Sequence, residues 1–194
     1  MSIFIISDLH LFHRNIHAFE PIRYQIGNTL EEMNWNIVKL WNSVVQPEDE
    51  VYNLGDVAFQ LGEKINEINH IVQSMNGYKI LIRGNHDHKK DEVYLRMGFK
   101  QVLWGPVDFG KYVLSHEPIL DTKVLNIHGH THHTLINENM GLFRCVSIEV
   151  LPNFTPIRLS EVLKSGKYAT IIEGQEPHHE PFFIPSQRWT PTTY

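Results

Sequence analysis

Apolar, strand-like stretches in this chain run again and again into residues that bind metals or move protons. Tyr78-Lys79-Ile80-Leu81-Ile82 has the length and β-branched content of a buried strand and leads into Arg83-Gly84-Asn85-His86-Asp87. Gly84 allows a sharp turn or a close approach, Asn85 offers a neutral carbonyl oxygen, His86 an imidazole and Asp87 a carboxylate to orient it. By itself this could be an ordinary turn, since Asn, Asp and Gly favour turns. Four more stretches do the same: Ile3–Ser7 into Asp8-Leu9-His10, Glu50–Leu54 into Gly55-Asp56, Tyr112–Ser115 into His116, and Val124–Ile127 into His128-Gly129-His130-Thr131-His132-His133. Five such ends suggest one shared centre, because open α/β sheets gather ligands at the carboxyl ends of their strands. The 13 histidines support this, many of them lying at those ends.

Between the strand candidates lie helical patterns. Thr29-Leu30-Glu31-Glu32 is a capping box, and Leu30, Met33, Ile37, Leu40, Trp41 and Val44 follow at helical spacing with Pro47 beyond. Ile65, Ile68, Val72 and Met75 mark a second amphipathic helix, and residues 89–97 and 159–163 two shorter ones. Residues 11–28 read as a long irregular connection. Residues 3–7 read as the central strand, and further strands are expected near 100–104, 106–109, 112–115, 124–128, 143–148 and 168–172. The order βαβαβα followed by mostly β predicts an α/β fold whose first strands are parallel. The length of 194 residues fits one domain spanning 1–194, with an extended Pro-rich tail from about 175. In that tail Phe182, Phe183 and Trp189 are expected to pack down and His178-His179 to be solvated.

The donor types suit a pair of divalent ions, which needs a bridging carboxylate, imidazoles and hard oxygens. If the segment is extended, Asp8-x-His10 puts two donors on one face, and His130-x-His132 does the same. The single cysteine, Cys145, lies in the strand-like Leu142–Val146 and reads as a buried, inert thiol. A zinc–thiolate site is therefore excluded, as is an internal disulfide.

Asp8-x-His10, Gly55-Asp56, Gly84-Asn85-His86-Asp87, His116 and Gly129-His130-x-His132 together resemble, in order, the five motifs of the calcineurin-like metallophosphoesterases. They span residues 3–132, about two-thirds of the chain. Each motif alone is weak; all five in order are specific. The second motif often runs Gly-Asp-x-x-Asp, whereas here Phe59 stands in place of the last Asp. That leaves the ligands intact and removes whatever support the carboxylate would lend.

The resemblance implies a four-layer sandwich: two packed mixed β-sheets flanked by helices, in a small member without a cap domain. It implies one ion held by Asp8, His10, Asp56 and His132 and another by Asp56, Asn85, His116 and His130, with Asp56 bridging. Manganese is the first expectation, with iron, zinc, nickel or magnesium as alternatives. The implied reaction is hydrolysis of phosphate esters by a metal-bridging hydroxide. Physically, cations roughly 3.5–4 Å apart need a shared anion, and they acidify the water between them. His86 has no metal in this scheme and is expected to act as an acid or to stabilise charge, with Asp87 orienting it and raising its pKa. His13, Arg14 and Asn85 are the expected substrate contacts. His128 and His133 match no ligand position.

Short gaps between the motifs predict an open site. An open site admits small phosphodiesters, such as cyclic nucleotides or nucleotide conjugates, with monoesters a second class. The formal charge of −5 argues against long nucleic acid, which wants a basic track. A nuclease and a non-catalytic scaffold of the same fold are the alternatives, and intact ligands together with His86 favour an enzyme. The N-terminus enters a strand at once, leaving no room for a signal peptide, and no apolar run would cross a bilayer. A cytoplasmic location is expected.

Overall fold

The computed structural model describes residues 1–134 and 141–164. The strand expected at 168–172 and the Pro-rich tail lie outside them. Nine strands form two mixed sheets. The first contains β1 (Ile3–Ile6), β2 (Glu50–Asn53), β3 (Tyr78–Ile82), β4 (Gln101–Leu103) and β9 (Ile157–Arg158), in the order β4-β3-β2-β1-β9. The second contains β5 (Val107–Asp108), β6 (Tyr112–Ser115), β7 (Leu125–His128) and β8 (Phe143–Cys145), in that order. Strands β1 to β4 are mutually parallel, as are β6 to β8, while β9 and β5 run antiparallel to their neighbours. The middle of the first sheet is therefore β2. The expected central strand, β1, lies one place from the edge, because the two-residue β9 pairs along its other side.

Helices α1 (Ile16–Phe19), α2 (Leu30–Val44), α3 (Ile65–Gln73), α4 (Asp91–Met97) and α5 (Leu159–Lys164) connect or flank the strands. The capping box of α2 forms: Thr29 Oγ1 accepts from the Glu32 N–H, and the Glu32 side chain accepts from the Thr29 N–H. Its Met33, Ile37 and Trp41 are buried. Residues 11–28 are more ordered than an irregular connection, holding α1 and a 3-10 turn over Pro21–Gln25.

One continuous apolar core joins both sheets, running from Ile5, Leu81 and Ile82 to Leu114, Ile127 and Val146. The sheets also touch through backbone: the Ser7 N–H donates to Val146 O at 2.9 Å, in a parallel bridge between Ser7 and Ser147. Parallel strands within each sheet put the loops after β1, β2 and β3 at one edge. The Ser7–Ser147 bridge lays that edge against the loops after β6, β7 and β8.

Candidate metal centre

Asp8 and His10 do not converge by strand alternation. Both lie beyond the end of β1 with left-handed backbone, φ 59° and 48°, as do Asp56 (55°), His130 (68°) and His132 (50°). Non-glycine residues pay for this conformation in strain, and such strain gathers at functional sites. Here it turns each side chain back toward the seam between the sheets. Glycine is needed where the loops cross. A Cβ on Gly129 would stand 2.0 Å from Ser7 Oγ, and one on Gly84 2.3 Å from Asp56 Oδ1.

Two donor groups result. In the first, ligand atoms of Asp8, His10 and His132 all lie within 4.8 Å of one another, and those of Asp8, Asp56 and His116 do likewise. His10 Nε2 is 3.7 Å from both Asp8 Oδ1 and Asp56 Oδ2, too long for hydrogen bonds. Asp8 Oδ1 and both ring nitrogens of His10 are buried without a hydrogen-bond partner. Buried polar atoms are almost always satisfied, so these orphans suit direct coordination of a cation. Burial pushes Asp56 up to about 7, with the charge of Asp8 adding to it, and pushes His10 down to about 4. Asp8, by contrast, is held well below the usual carboxylate range by His10, His116 and His132 despite its burial.

In the second group, Asn85 Oδ1 is 2.7 Å from His116 Nε2 and 3.0 Å from His130 Nδ1, and the two nitrogens are 3.2 Å apart. His116 Nδ1 is 2.7 Å from Leu54 O. With Nδ1–H donating there, Nε2 presents a lone pair toward the Asn85 carbonyl. These three N and O atoms stand as close together as donors held by one cation would. The donors are N and O only, which suits a divalent transition metal or magnesium.

Around these groups, Asp8 Oδ2 accepts from the His130 N–H at 3.0 Å and from Ser147 Oγ at 2.7 Å. Asp87 does not orient His86. Its carboxylate accepts from the backbone N–H groups of Asp56 (2.8 Å), Gly84 (2.9 Å) and Val57 (3.2 Å), tying the second motif to the third. Nor is the His86 pKa raised: burial pushes it below its ordinary value, nearby histidines add to this, and Asp87 opposes only weakly. His86 stands at the mouth, its side chain 44% exposed and its Nε2 3.9 Å from Asp56 Oδ2.

Phe59, which takes the place of the family's second Asp, stacks on His10 at 5.4 Å and meets His86 at 4.9 Å and His13 at 4.2 Å. Beside it opens a cleft of about 420 Å³ lined by Phe12, His13, Arg14, Asn15, Gln60 and Glu63 as well. Arg14 is exposed there and engaged: Nη2 donates to Glu63 at 2.9 Å and Nε to Gln60 at 3.0 Å. His128 is buried against Gly129 O, and burial pushes it down to about 4. His133 is exposed and 3.0 Å from Glu20. Cys145 is partly exposed where full burial was expected, and desolvation pushes its thiol up to about 11.

The sequence reading missed Arg23, Glu20 and Glu149. Arg23 is fully buried and reaches Glu149, Leu9 O and the Asp8 carbonyl. Its signal was faint: a lone carboxylate between Ile148 and Val150, and one arginine in a polar loop.

The calcineurin-like phosphoesterase family matches residues 1–188. The chain belongs to that family. As a calcineurin-like phosphoesterase it is a metal-dependent phosphoester hydrolase in general terms. It is 33% identical to an uncharacterized protein of Methanocaldococcus jannaschii, over 84% of this chain and 90% of the other. It is 30% identical to the gene 66 protein of Mycobacterium phage L5, over 67% and 77%. A solved structure of an Aquifex aeolicus protein of unknown function superposes at TM-score 0.62 with 27% identity, covering 84% of this phosphoesterase and 98% of that chain. No helix among the described residues is long and apolar enough to cross a membrane.

Proposed function

We propose that this chain hydrolyses small phosphodiesters, and more slowly phosphomonoesters, at a two-metal centre. Asp8, His10, Asp56 and His132 would hold one ion, and Asp56, Asn85, His116 and His130 the other. The observation that carries this is the convergence of Asp, His and Asn donors from both sheets at one seam, with Asp8 Oδ1 and both His10 nitrogens unpartnered. When bound, such ions supply Lewis acidity to phosphoryl oxygens and acidify coordinated water.

The chain's own residues do the rest. Asp56 touches both donor groups and ties their positions together. Asp87 fixes the loops of Asp56 and Asn85 through three N–H bonds, so the centre is preorganised. His86, exposed on the solvent side, is placed to protonate a leaving oxygen. The cleft beside Phe59 gives room for the ester group that a diester carries and a monoester lacks. Arg14 and His13 on its walls would meet that group.

The test is a panel of bis-aryl phosphate, aryl phosphate, cyclic nucleotides and short DNA, each assayed with manganese, iron, zinc, nickel and magnesium. The expected result is the highest kcat/KM on the small diesters. Preference for the monoester would overturn the diester reading. Preference for DNA would make the protein a nuclease, and no turnover with any ion would make it a scaffold.

A further inference from the structure

Around His132 Nδ1 lies a second group of buried charges. His132 Nδ1 is 3.2 Å from Glu149 Oε2 and 3.8 Å from Glu20 Oε1. Glu149 is 3% exposed, and its Oε2 and His132 Nδ1 are both buried with no hydrogen bond that meets geometric limits, which leaves the 3.2 Å approach between them as a close ion-pair contact. Its other oxygen is taken by Arg23, whose Nε donates to Oε1 at 2.6 Å and whose Nη2 forms a close ion pair with it. The same guanidinium donates to Leu9 O at 2.6 Å and to the Asp8 carbonyl.

Two readings are open to this group. Ligand atoms of Glu20, His132 and Glu149 lie within 4.8 Å of one another, a spacing that could hold a further cation. A guanidinium already neutralises Glu149, however, and would repel a dication at its side, while Glu20 is also engaged by His133 at 3.0 Å. The alternative is an outer carboxylate that holds a metal-binding imidazole by its second nitrogen, fixing tautomer and ring angle.

We propose that Glu149, locked in place by Arg23, is the positioning residue for His132: it takes the Nδ1–H and leaves Nε2 for the ion shared with Asp8 and His10. Because Arg23 also grips the carbonyls of Leu9 and Asp8, the segment 11–28 becomes part of the metal centre's frame. This rests on the two-metal reading above.

The experiment measures Mn²⁺ stoichiometry and affinity by chelator competition for the wild type, Glu149→Gln and the double variant Arg23→Gln/Glu149→Gln. The double variant removes both buried charges together and so leaves neither stranded. Thermal melting of the metal-free proteins checks folding. The expected result is two ions per wild-type chain and one of them bound about 10–100-fold more weakly in both variants, the other unchanged. In zinc-loaded wild type, ¹H–¹⁵N correlation of the His132 ring should show Nδ1 protonated, a readout that needs no variant. Unchanged affinities in a folded variant, or the opposite tautomer, would overturn the positioning role while leaving the two-metal reading intact. A third ion that Glu149→Gln abolishes would make this group a cation site instead. A wild type that binds no divalent ion would sink both readings.

Discussion

The two ends of the candidate centre are built differently. At one end Asp8, His10 and Asp56 are all 5% exposed or less, with the Arg23–Glu149 pair packed behind them. At the other end His116 is buried too, but Asn85 and His130 are exposed, and His86 stands beside them in solvent. The buried end carries formal charge from Asp8. The donors special to the open end are Asn85, His116 and His130, an amide and two imidazoles. An ion at the buried end would therefore be held by charge and by a rigid surround. One at the open end would depend on Asp56 for its only anionic ligand. The difference suggests a division of labour: the buried end retains metal, and the open end meets substrate.

Asp56 is where this comparison can be broken most severely. Asp56→Asn is expected to lose one ion per chain and nearly all turnover while the fold persists. The ion lost should be the one at the open end, since Asp8 still anchors the other. Metal analysis with a crystal structure of the variant would check it. Two ions retained with near-normal rate would end the bridging assignment, and loss from the buried end would reverse the comparison.

His86 tests whether the open end does chemistry. His86→Ala should keep both ions and lose about 10²–10⁴-fold in kcat on substrates with poor leaving groups, the usual contribution of a general acid. An activated aryl diester, whose leaving group needs little protonation, should suffer less. Burial lowers the His86 pKa below its ordinary 6.5, and the acid works only when protonated. The rate on a poor leaving group should therefore fall as pH rises through a value below 6.5, and that limb should vanish in His86→Ala. Equal losses on both substrates would leave His86 no part in leaving-group departure.

The candidate donors were legible because strand ends are easy to see and His, Asp and Asn are scarce elsewhere in apolar runs. How they converge was not. Alternation along an extended strand predicts a shared face for Asp8 and His10, but β1 stops at Ile6 and the pair turn through left-handed backbone. Such φ values depend on the loops packing across one another, as Gly84 does on Asp56, and sequence spacing does not reveal that. Asp87 misled for a related reason: adjacency to His86 suggested a pair, while the three N–H groups it serves include two from the other side of the β2 loop, some 30 residues away. Arg23 and Glu149 are 126 residues apart and belong to no pattern. The edge strand β9 is two residues long and antiparallel, too short to leave a periodic trace.

The smallest expected effect lies at the cleft beside Phe59, whose ring meets both His10 and His86. Arg14 is held by Glu63 and Gln60 in an exposed pair, and such pairs contribute ~1 kcal/mol or less to stability. Arg14→Ala should thus fold normally. Its guanidinium lines the space where a diester's second group would lie. The change should raise KM for the bis-aryl diester several-fold and leave kcat, and the monoester's KM, nearly unchanged. Glu63→Gln should act in the opposite sense, because it removes the charge that partly neutralises Arg14 and leaves the cation freer for an anionic substrate. If both variants shift diester and monoester alike, the cleft does not read the second ester group, and the open end meets substrate through Asn85, His86 and His130 alone.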